Sequence, residues 1–93
     1  MTIAGTEHLR QIARRVIWWK DPETTLANEP HFLAHAMTWA NWEEIELIRS
    51  VYGDDRLRRV LDDPPPGVFD QRSWNYWHAK FGRTAPRLPA RRL

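Results

Sequence analysis

The sequence predicts an all-α protein: a compact bundle of four main helices plus a short one, with an extended basic arm at the C-terminus. Three observations support this fold class. Apolar residues recur at three- and four-residue intervals through most of residues 7–81, which is the period of an α-helix. Residues suited to helix caps separate these stretches, and no alternating apolar–polar run longer than four residues indicates a strand.

The first helix is predicted over about residues 7–19, with Thr6 as its N-cap. Its inward face matches the helical template without a miss: Leu9, Ile12, Ala13, Val16 and Ile17. Trp18 and Trp19 follow this face, and because neighbouring residues lie about 100° apart round a helix, the two rings cannot both face the core. We therefore expect one of them to contact a partner.

Two proline-containing turns predict the starts of the next two helices, since an Asp or Asn N-cap followed by proline suits the first turn of a helix. Asp21-Pro22 begins a short helix through Ala27. Asn28-Glu29-Pro30 begins a main helix to about Ala40. The inward face of this main helix consists of Phe32, Leu33, Ala36, Met37 and Ala40.

Asn41 and Glu44 form a capping-box pattern that predicts the next helix, which ends at Gly53. Asp54 is the expected N-cap of a shorter helix to about Asp62. The inward residues of these two helices are Ile45, Ile48, Val51, Tyr52, Leu57, Val60 and Leu61.

A stiff connector of three consecutive prolines leads to the last predicted helix, between Asp70 and Gly82. Asp70 is a good N-cap, and Gly82 stands where a left-handed C-cap belongs. The apolar face of this helix consists of Trp74, Trp77, His78 and Phe81. Because a helix this short is marginal alone, we expect this face to dock on the preceding helices.

The positive charge of the chain is concentrated at its C-terminus. The net charge is +2, but residues 83–93 carry four Arg and no acid, so residues 1–82 have ten basic residues against twelve acidic ones. We therefore divide the chain into a helical domain, residues 1–82, and an extended Arg/Pro-rich arm, residues 83–93. A body that binds phosphates would be expected to carry a basic face of its own.

The arm has three interpretations: unspecific contact with nucleic acid, insertion along an acidic groove of a partner protein, or a plain chain terminus. Leu88, Pro89 and Leu93 favour the partner protein, because a peptide that becomes ordered on binding needs apolar anchors.

The composition argues against several classes of function. The chain has no cysteine, so it has no disulfide framework and no thiolate metal site, which fits a reducing cytoplasm. No run of about 18 apolar residues is present, so we expect a cytoplasmic protein that does not span a membrane. No P-loop, glycine-rich dinucleotide turn or Ser/His/Asp arrangement indicates an enzyme, and we expect neither catalytic residues nor a cofactor. Six tryptophans are many for 93 residues, and we expect one or two to reach a partner.

The histidines His31 and His35 lie four residues apart, which would place two imidazoles on one helix face for a metal, with Glu29 or Asp21 as a third ligand. Two histidines without a third at a recognisable spacing do not make a site. No metal is therefore expected.

The pair Arg72 and His78 resembles the Arg-to-His signature of the HEPN ribonucleases. The resemblance implies a site that cleaves a phosphodiester at a dimer groove. Ser73 departs from the signature, which usually has Asn, Asp or His after the Arg, and a six-residue separation puts the two side chains about 240° apart round a helix. A HEPN-like ribonuclease is one alternative; the other interpretation is a surface arginine and a histidine packed beside Trp74.

A helix-turn-helix over residues 47–61, with its turn at Gly53, would give a second alternative, a DNA-binding regulator of its own operon. The second helix of this unit would offer Arg56, Arg58 and Arg59 to the phosphates. Arg49 stands where a small residue normally lets the helices cross closely. Four acids flank the second helix: Asp54, Asp55, Asp62 and Asp63. These features favour an ordinary helical hairpin.

A family resemblance extends over nearly the whole chain. The segments that carry it are Ala13-Arg14-Arg15-Val16-Ile17-Trp18-Trp19, Phe32-Leu33 with Met37, Trp42-Glu43, Pro66-Gly67-Val68-Phe69, Arg72-Ser73-Trp74 with Tyr76-Trp77-His78, Phe81-Gly82, and Leu88-Pro89 with Arg91. Together they resemble a family of small bacterial proteins encoded beside nucleotidyltransferases of the AbiEii toxin class.

The resemblance implies the antitoxin half of a toxin–antitoxin or phage-defence pair, in which the small protein restrains a nucleotidyltransferase that modifies RNA ends. It implies a non-catalytic protein that acts by contact. The expected partner-binding residues are Trp18, Trp19, Arg83, Arg87, Leu88, Arg91 and Arg92. The sequence leaves open whether the arm also contacts nucleic acid and whether the protein forms a homo-oligomer.

Overall fold

The computed structural model of the protein describes residues 3–88, with side chains from residue 7 onward. Six helices follow one another: α1 (Ile3–Val16), α2 (Pro22–Ala27), α3 (Glu29–Trp39), α4 (Trp42–Tyr52), α5 (Asp54–Asp62) and α6 (Gln71–Lys80). No strand occurs within the described range. The all-α prediction is confirmed, whereas the count of four main helices plus a short one is not, because these residues form six helices.

Three of the predicted N-caps are present as hydrogen bonds. The side chain of Asp21 accepts from the backbone N–H of residue 24 at 2.9 Å, and that of Asp70 accepts from the N–H of residue 73 at 2.7 Å. At α4, the Asn41 side chain accepts from the Glu44 N–H at 2.9 Å, and the Glu44 carboxylate accepts from the Asn41 N–H at 2.8 Å. The capping box is therefore complete.

The end of α6 also follows the prediction. Gly82 has φ +70°, the left-handed conformation that favours glycine. The N–H of Gly82 donates to the Ala79 carbonyl at 3.0 Å, and the N–H of Arg83 donates to the His78 carbonyl at 2.8 Å. This pair of bonds is a Schellman motif, which satisfies carbonyl groups that the last turn would leave without donors.

Two predicted helix boundaries are wrong. Helix α1 runs from Ile3 to Val16, so Thr6 lies inside it rather than capping it, and Trp18 and Trp19 follow its end. Both indoles are exposed, at 76% for Trp18 and 54% for Trp19, so neither belongs to the buried face of α1. At α5 the N-cap is Gly53, with φ +86°, and Asp54 is the first helical residue. The Asp54 carboxylate does not cap because it pairs with Arg49, at 2.8 and 3.0 Å.

Helix α3 is the centre of the fold. Six consecutive residues of α3 are buried, from Phe32 to Met37, and the helix contacts each of the other five. A helix that is apolar on all sides belongs in an interior. The radius of gyration, 13.0 Å, is about that of a compact folded domain of this length.

Helix α6 docks on α3 through its indoles, as expected. Trp74 and Trp77 are each 2% exposed. The Trp77 Nε1–H donates to the Met37 carbonyl in the last turn of α3, at 2.8 Å. The Trp74 Nε1–H donates to the Pro86 carbonyl at 2.7 Å, so residues that follow α6 lie against its other indole.

The first half of the predicted arm lies on the helical body. Arg83 pairs with Asp62 at 2.7 Å, and both Ala85 and Leu88 pack against the core, while Pro86 accepts the hydrogen bond described above. The remaining arm residues, 89–93, lie outside the described residues.

The longest helix has 14 residues, and in the part of the chain that the structure describes no helix has the length and apolar character needed to cross a bilayer.

We expect Trp77→Phe to lower the free energy of unfolding by about 1–3 kcal/mol, because it leaves the buried Met37 carbonyl without its donor. Urea denaturation followed by far-UV circular dichroism measures this change. The matched control is Trp42→Phe, at a ring that is 56% exposed, with an expected change within about 0.5 kcal/mol. Equal effects of the two substitutions would contradict the role given to the Trp77 hydrogen bond.

Candidate partner-binding surface

Four of the six tryptophans are on the surface. The exposed fraction is 76% for Trp18, 54% for Trp19, 60% for Trp39 and 56% for Trp42, and Tyr76 is 46% exposed. Single exposed apolar residues are ordinary, but grouped aromatic rings mark interaction surfaces. Two groups are present, and they are described in turn.

The first group, the indole–imidazole cluster, consists of Trp18, Trp19, His31 and His35. Ring centroids are 5.7 Å apart for Trp18 and Trp19, 5.7 Å for Trp19 and His35, and 4.4 Å for the two histidines. His35 is buried, and its Nδ1 lies 3.0 Å from the His31 carbonyl oxygen. The cluster thus attaches two exposed indoles to the central helix.

The surroundings of the two imidazoles in this cluster favour their neutral form. Burial lowers the pKa of His31 and His35, and the ammonium of Lys20 lowers both further. Within residues 3–88, neither Glu29 nor Asp21 joins the two histidines in a group of three metal-binding side chains.

The second group, the aromatic groove, lies where α3 ends and α4 and α6 begin. Its volume is about 310 Å³. Three exposed rings line it: Trp39, the last residue of α3, Trp42, the first residue of α4, and Tyr76 of α6. The buried residues Met37, Ile45 and Trp77 also line it.

A clamp on the chain between α3 and α4 holds one side of the groove. The Arg15 guanidinium of α1 donates to the Trp39 carbonyl at 3.2 Å and from Nε to the Glu44 carboxylate at 2.9 Å, with a further contact between Nη2 and the same carboxylate. This ion pair holds the pKa of Glu44 below its ordinary value. Trp39 and Trp42 therefore flank a turn that is fixed by both the capping box and Arg15.

Sequence reasoning missed the groove. Its rings come from three helices, and Tyr76 is more than thirty residues from the two tryptophans, so no periodicity links them. One signal was available: Trp39 lies outside the apolar face predicted for its helix.

Basic side chains border the groove. The Lys80 ammonium lies 5.3 Å from the centroid of the Trp42 ring, a cation–π contact. Arg72 is exposed. Hydrogen bonds from Ser73 hold the pKa of Asp70 below its ordinary value, with a smaller effect of Arg72. Among the ion pairs of the described residues, none involves Arg72 or Lys80.

The candidate ribonuclease pair is not brought together as a site. Arg72 is exposed, whereas His78 is 3% exposed and packs at 4.4 Å from Trp74 between ring centroids. Both ring nitrogens of His78 are buried and have no hydrogen-bond partner among the described residues. Burial lowers the pKa of His78, Arg83 lowers it further and Asp62 opposes this. His78 is therefore part of the core.

The three arginines considered for DNA contact lie among acids. Arg56 pairs with Glu29 at 2.9 Å, and Arg58 pairs with Asp55 at 2.6 Å. Arg59 lines a pocket that also contains Glu29. Paired carboxylates reduce the positive potential that phosphates would meet.

The predicted contact residues of the arm differ in their surroundings. Arg83 is paired with Asp62, Leu88 is half-buried against the body and Arg87 is exposed. Arg91 and Arg92 lie outside the described residues.

Comparison of the chain with models of protein families, with curated proteins and with solved structures finds no match.

We expect the free energy of unfolding to fall as the pH is lowered through about 6.5, the ordinary histidine value, because burial lowers the pKa of His31, His35 and His78. Near that pH the histidines of the unfolded chain bind protons more readily than those of the folded protein. The contribution of these histidines to the free energy of unfolding is therefore fully present only above the histidine pKa of the unfolded chain. Urea denaturation between about pH 7.5 and pH 5.5 measures the slope. His78→Leu should reduce it, and an unchanged slope in that variant would contradict the contribution assigned to His78.

Proposed function

We propose that the protein is a non-catalytic interaction protein that acts by binding another protein. The observation that carries this proposal is the adjacent pair Trp18 and Trp19, which are 76% and 54% exposed and are held by ring contacts rather than by burial. Tryptophan is enriched among the residues that dominate binding energy at protein interfaces. A pair of indoles on the surface suits this role, because a tryptophan side chain has only two rotatable bonds and loses little freedom on binding.

For the partner we propose a nucleotidyltransferase-type toxin, which the protein neutralises as a cytoplasmic antitoxin in phage defence. The basis for this choice is the family resemblance. A nucleotidyltransferase presents carboxylates that hold metal ions, and arginines form strong charge-assisted hydrogen bonds with carboxylates. Arginines of the arm, residues 83–93, would enter that cleft. Arg87, Arg91 and Arg92 are the proposed contacts, whereas the pairing of Arg83 with Asp62 makes it a tether of the arm.

Two alternatives have less support. A ribonuclease that uses Arg72 and His78 would need an accessible imidazole, but both nitrogens of His78 are buried. A DNA-binding regulator would need a free basic face, but Arg56 and Arg58 are paired with acids.

The proposed function is tested by co-expressing the full chain with the nucleotidyltransferase encoded beside it. We expect the two proteins to co-purify and the chain to restore growth of cells that make the nucleotidyltransferase. Trp18→Ala combined with Trp19→Ala should weaken the Kd at least tenfold, because it removes two exposed indoles. Arg59→Ala, at an exposed residue of α5 that belongs to neither aromatic group, is the control. Unchanged affinity of the double variant would refute the role of the indole pair.

The role of the arm is tested by truncating the chain after Leu88. This variant keeps the Trp74–Pro86 hydrogen bond and the packing of Ala85 and Leu88, so its unfolding midpoint should stay close to that of the full chain. We expect neutralisation to be lost, because Arg91 and Arg92 are removed. Truncation after Gly82 is the comparison, since it removes those contacts and should also lower stability. Full neutralisation by the Leu88 truncation would exclude residues 89–93, and with them Arg91 and Arg92, from the mechanism.

A further inference from the structure

The aromatic groove is open to a side chain from outside. Trp39, Trp42 and Tyr76 keep about half or more of their surface exposed, although the buried Met37 and Trp77 lie beside them. An apolar group that entered the groove would remove rings from water on several sides at once. Each large ring that is buried contributes substantially to binding.

The backbone that carries Trp39 and Trp42 is already fixed in place. Trp42 begins α4 directly after its N-cap, Asn41, and Lys80 lies over the Trp42 ring. The backbone carbonyl of Trp39 accepts a hydrogen bond from Arg15. A surface that is ordered before binding loses little conformational entropy when a ligand arrives, so this site is suited to binding without rearrangement.

The charges at the groove select the ligand. Arg72 and Lys80 are basic, and in residues 3–88 neither takes part in an ion pair. The acid that lines the groove, Asp70, accepts a hydrogen bond from the Ser73 N–H at 2.7 Å at the start of α6. A carboxylate on the ligand would form an ion pair with one of these cations, whereas a basic group on the ligand would be repelled by them.

We infer that the aromatic groove binds a peptide segment of a partner protein in which an apolar side chain lies beside an Asp or Glu. The apolar side chain packs between Trp39, Trp42 and Tyr76, and the carboxylate pairs with Arg72. This inference rests on the proposed function only in that the partner is a protein. It assigns a second contact surface, separate from the Trp18–Trp19 pair.

Aromatic rings with neighbouring cations also bind single-stranded nucleic acid, so the two ligands must be compared. A nucleic acid carries a phosphate at every nucleotide, and it would extend past the groove over exposed acids such as Glu43 and Glu46. The helical domain has more acids than bases. A single carboxylate of a peptide would lie beside Arg72 and Lys80 only and would not reach these acids. The observations therefore favour a peptide over a nucleic acid as the ligand.

The test is selection of random twelve-residue peptides displayed on phage against the immobilised full chain. We expect the enriched peptides to share a large apolar residue within two positions of an Asp or Glu. A synthetic peptide of the enriched sequence should bind in a fluorescence-polarisation assay. Trp39→Ala and Trp42→Ala should each weaken its Kd at least tenfold, with far-UV circular dichroism showing that each variant is folded.

Charge reversal gives the sharper result. Selection against Arg72→Glu should yield peptides in which Lys or Arg replaces the carboxylate, a change that a merely structural effect of the substitution would not produce. Arg14→Glu, an equal change of charge at an exposed position away from the groove, should select the same peptides as the unaltered chain.

Three results would overturn the inference. One is a failure to enrich any peptide, a second is binding that is unaffected by Trp42→Ala, and a third is tighter binding of a twelve-nucleotide uridine strand than of the peptide. None of these measurements uses the nucleotidyltransferase. Failure of co-purification would therefore reject the proposed function alone, and failure of the peptide selection would reject the groove alone.

Discussion

The hydrogen bond from the Trp77 indole to the Met37 carbonyl is the contact on which the rest of the structure depends. In a longer helix that carbonyl would accept from the N–H of residue 41, but the Asn41 N–H donates to Glu44 in the capping box. The last carbonyl of α3, at Trp39, also lacks a backbone donor within the helix, and it accepts a hydrogen bond from Arg15 of α1. The end of one buried helix is thus completed by side chains from two others.

The aromatic groove lies at that point. Helices α1, α4 and α6 meet the end of α3 there, and each brings polar or ring atoms to satisfy the terminal carbonyls and N–H groups. The chain between Trp39 and Trp42 is held by the capping box and by Arg15, and the rings of both residues are exposed. Two indoles of the six are buried in the interior, and four lie on the surface.

The helix starts could be predicted from the sequence because a cap is a local interaction. Asp21, Asn41 and Asp70 each bond to a backbone N–H three residues on, so both partners lie within one helical turn of the sequence. The prediction failed where another side chain competed with the cap. Asp54 was expected to cap α5 and instead pairs with Arg49 of α4, across the turn at Gly53. The exposure of Trp19 could not be predicted either, because it depends on the end of α1, which lies at Val16 rather than at residue 19.

The aromatic groove could not be predicted because tertiary packing alone brings Tyr76 beside Trp39 and Trp42. The same holds for the arm: its composition indicated a basic extended segment, but the anchoring of Pro86 by the Trp74 indole depends on how α6 lies. Contacts between candidate residues on a single helix were easier to predict. The packing of His78 against Trp74 matched one of its two interpretations, since the two are neighbours on one helix face.

The central claim is that two tryptophans hold the fold and four serve contact. Hydrogen exchange of the six indole Nε1–H groups, resolved by NMR, tests it directly. The account predicts slow exchange at Trp74 and Trp77, close to the rate set by global unfolding, and fast exchange at Trp18, Trp19, Trp39 and Trp42. Fast exchange at Trp77, or protection of the other four indoles equal to its own, would contradict it.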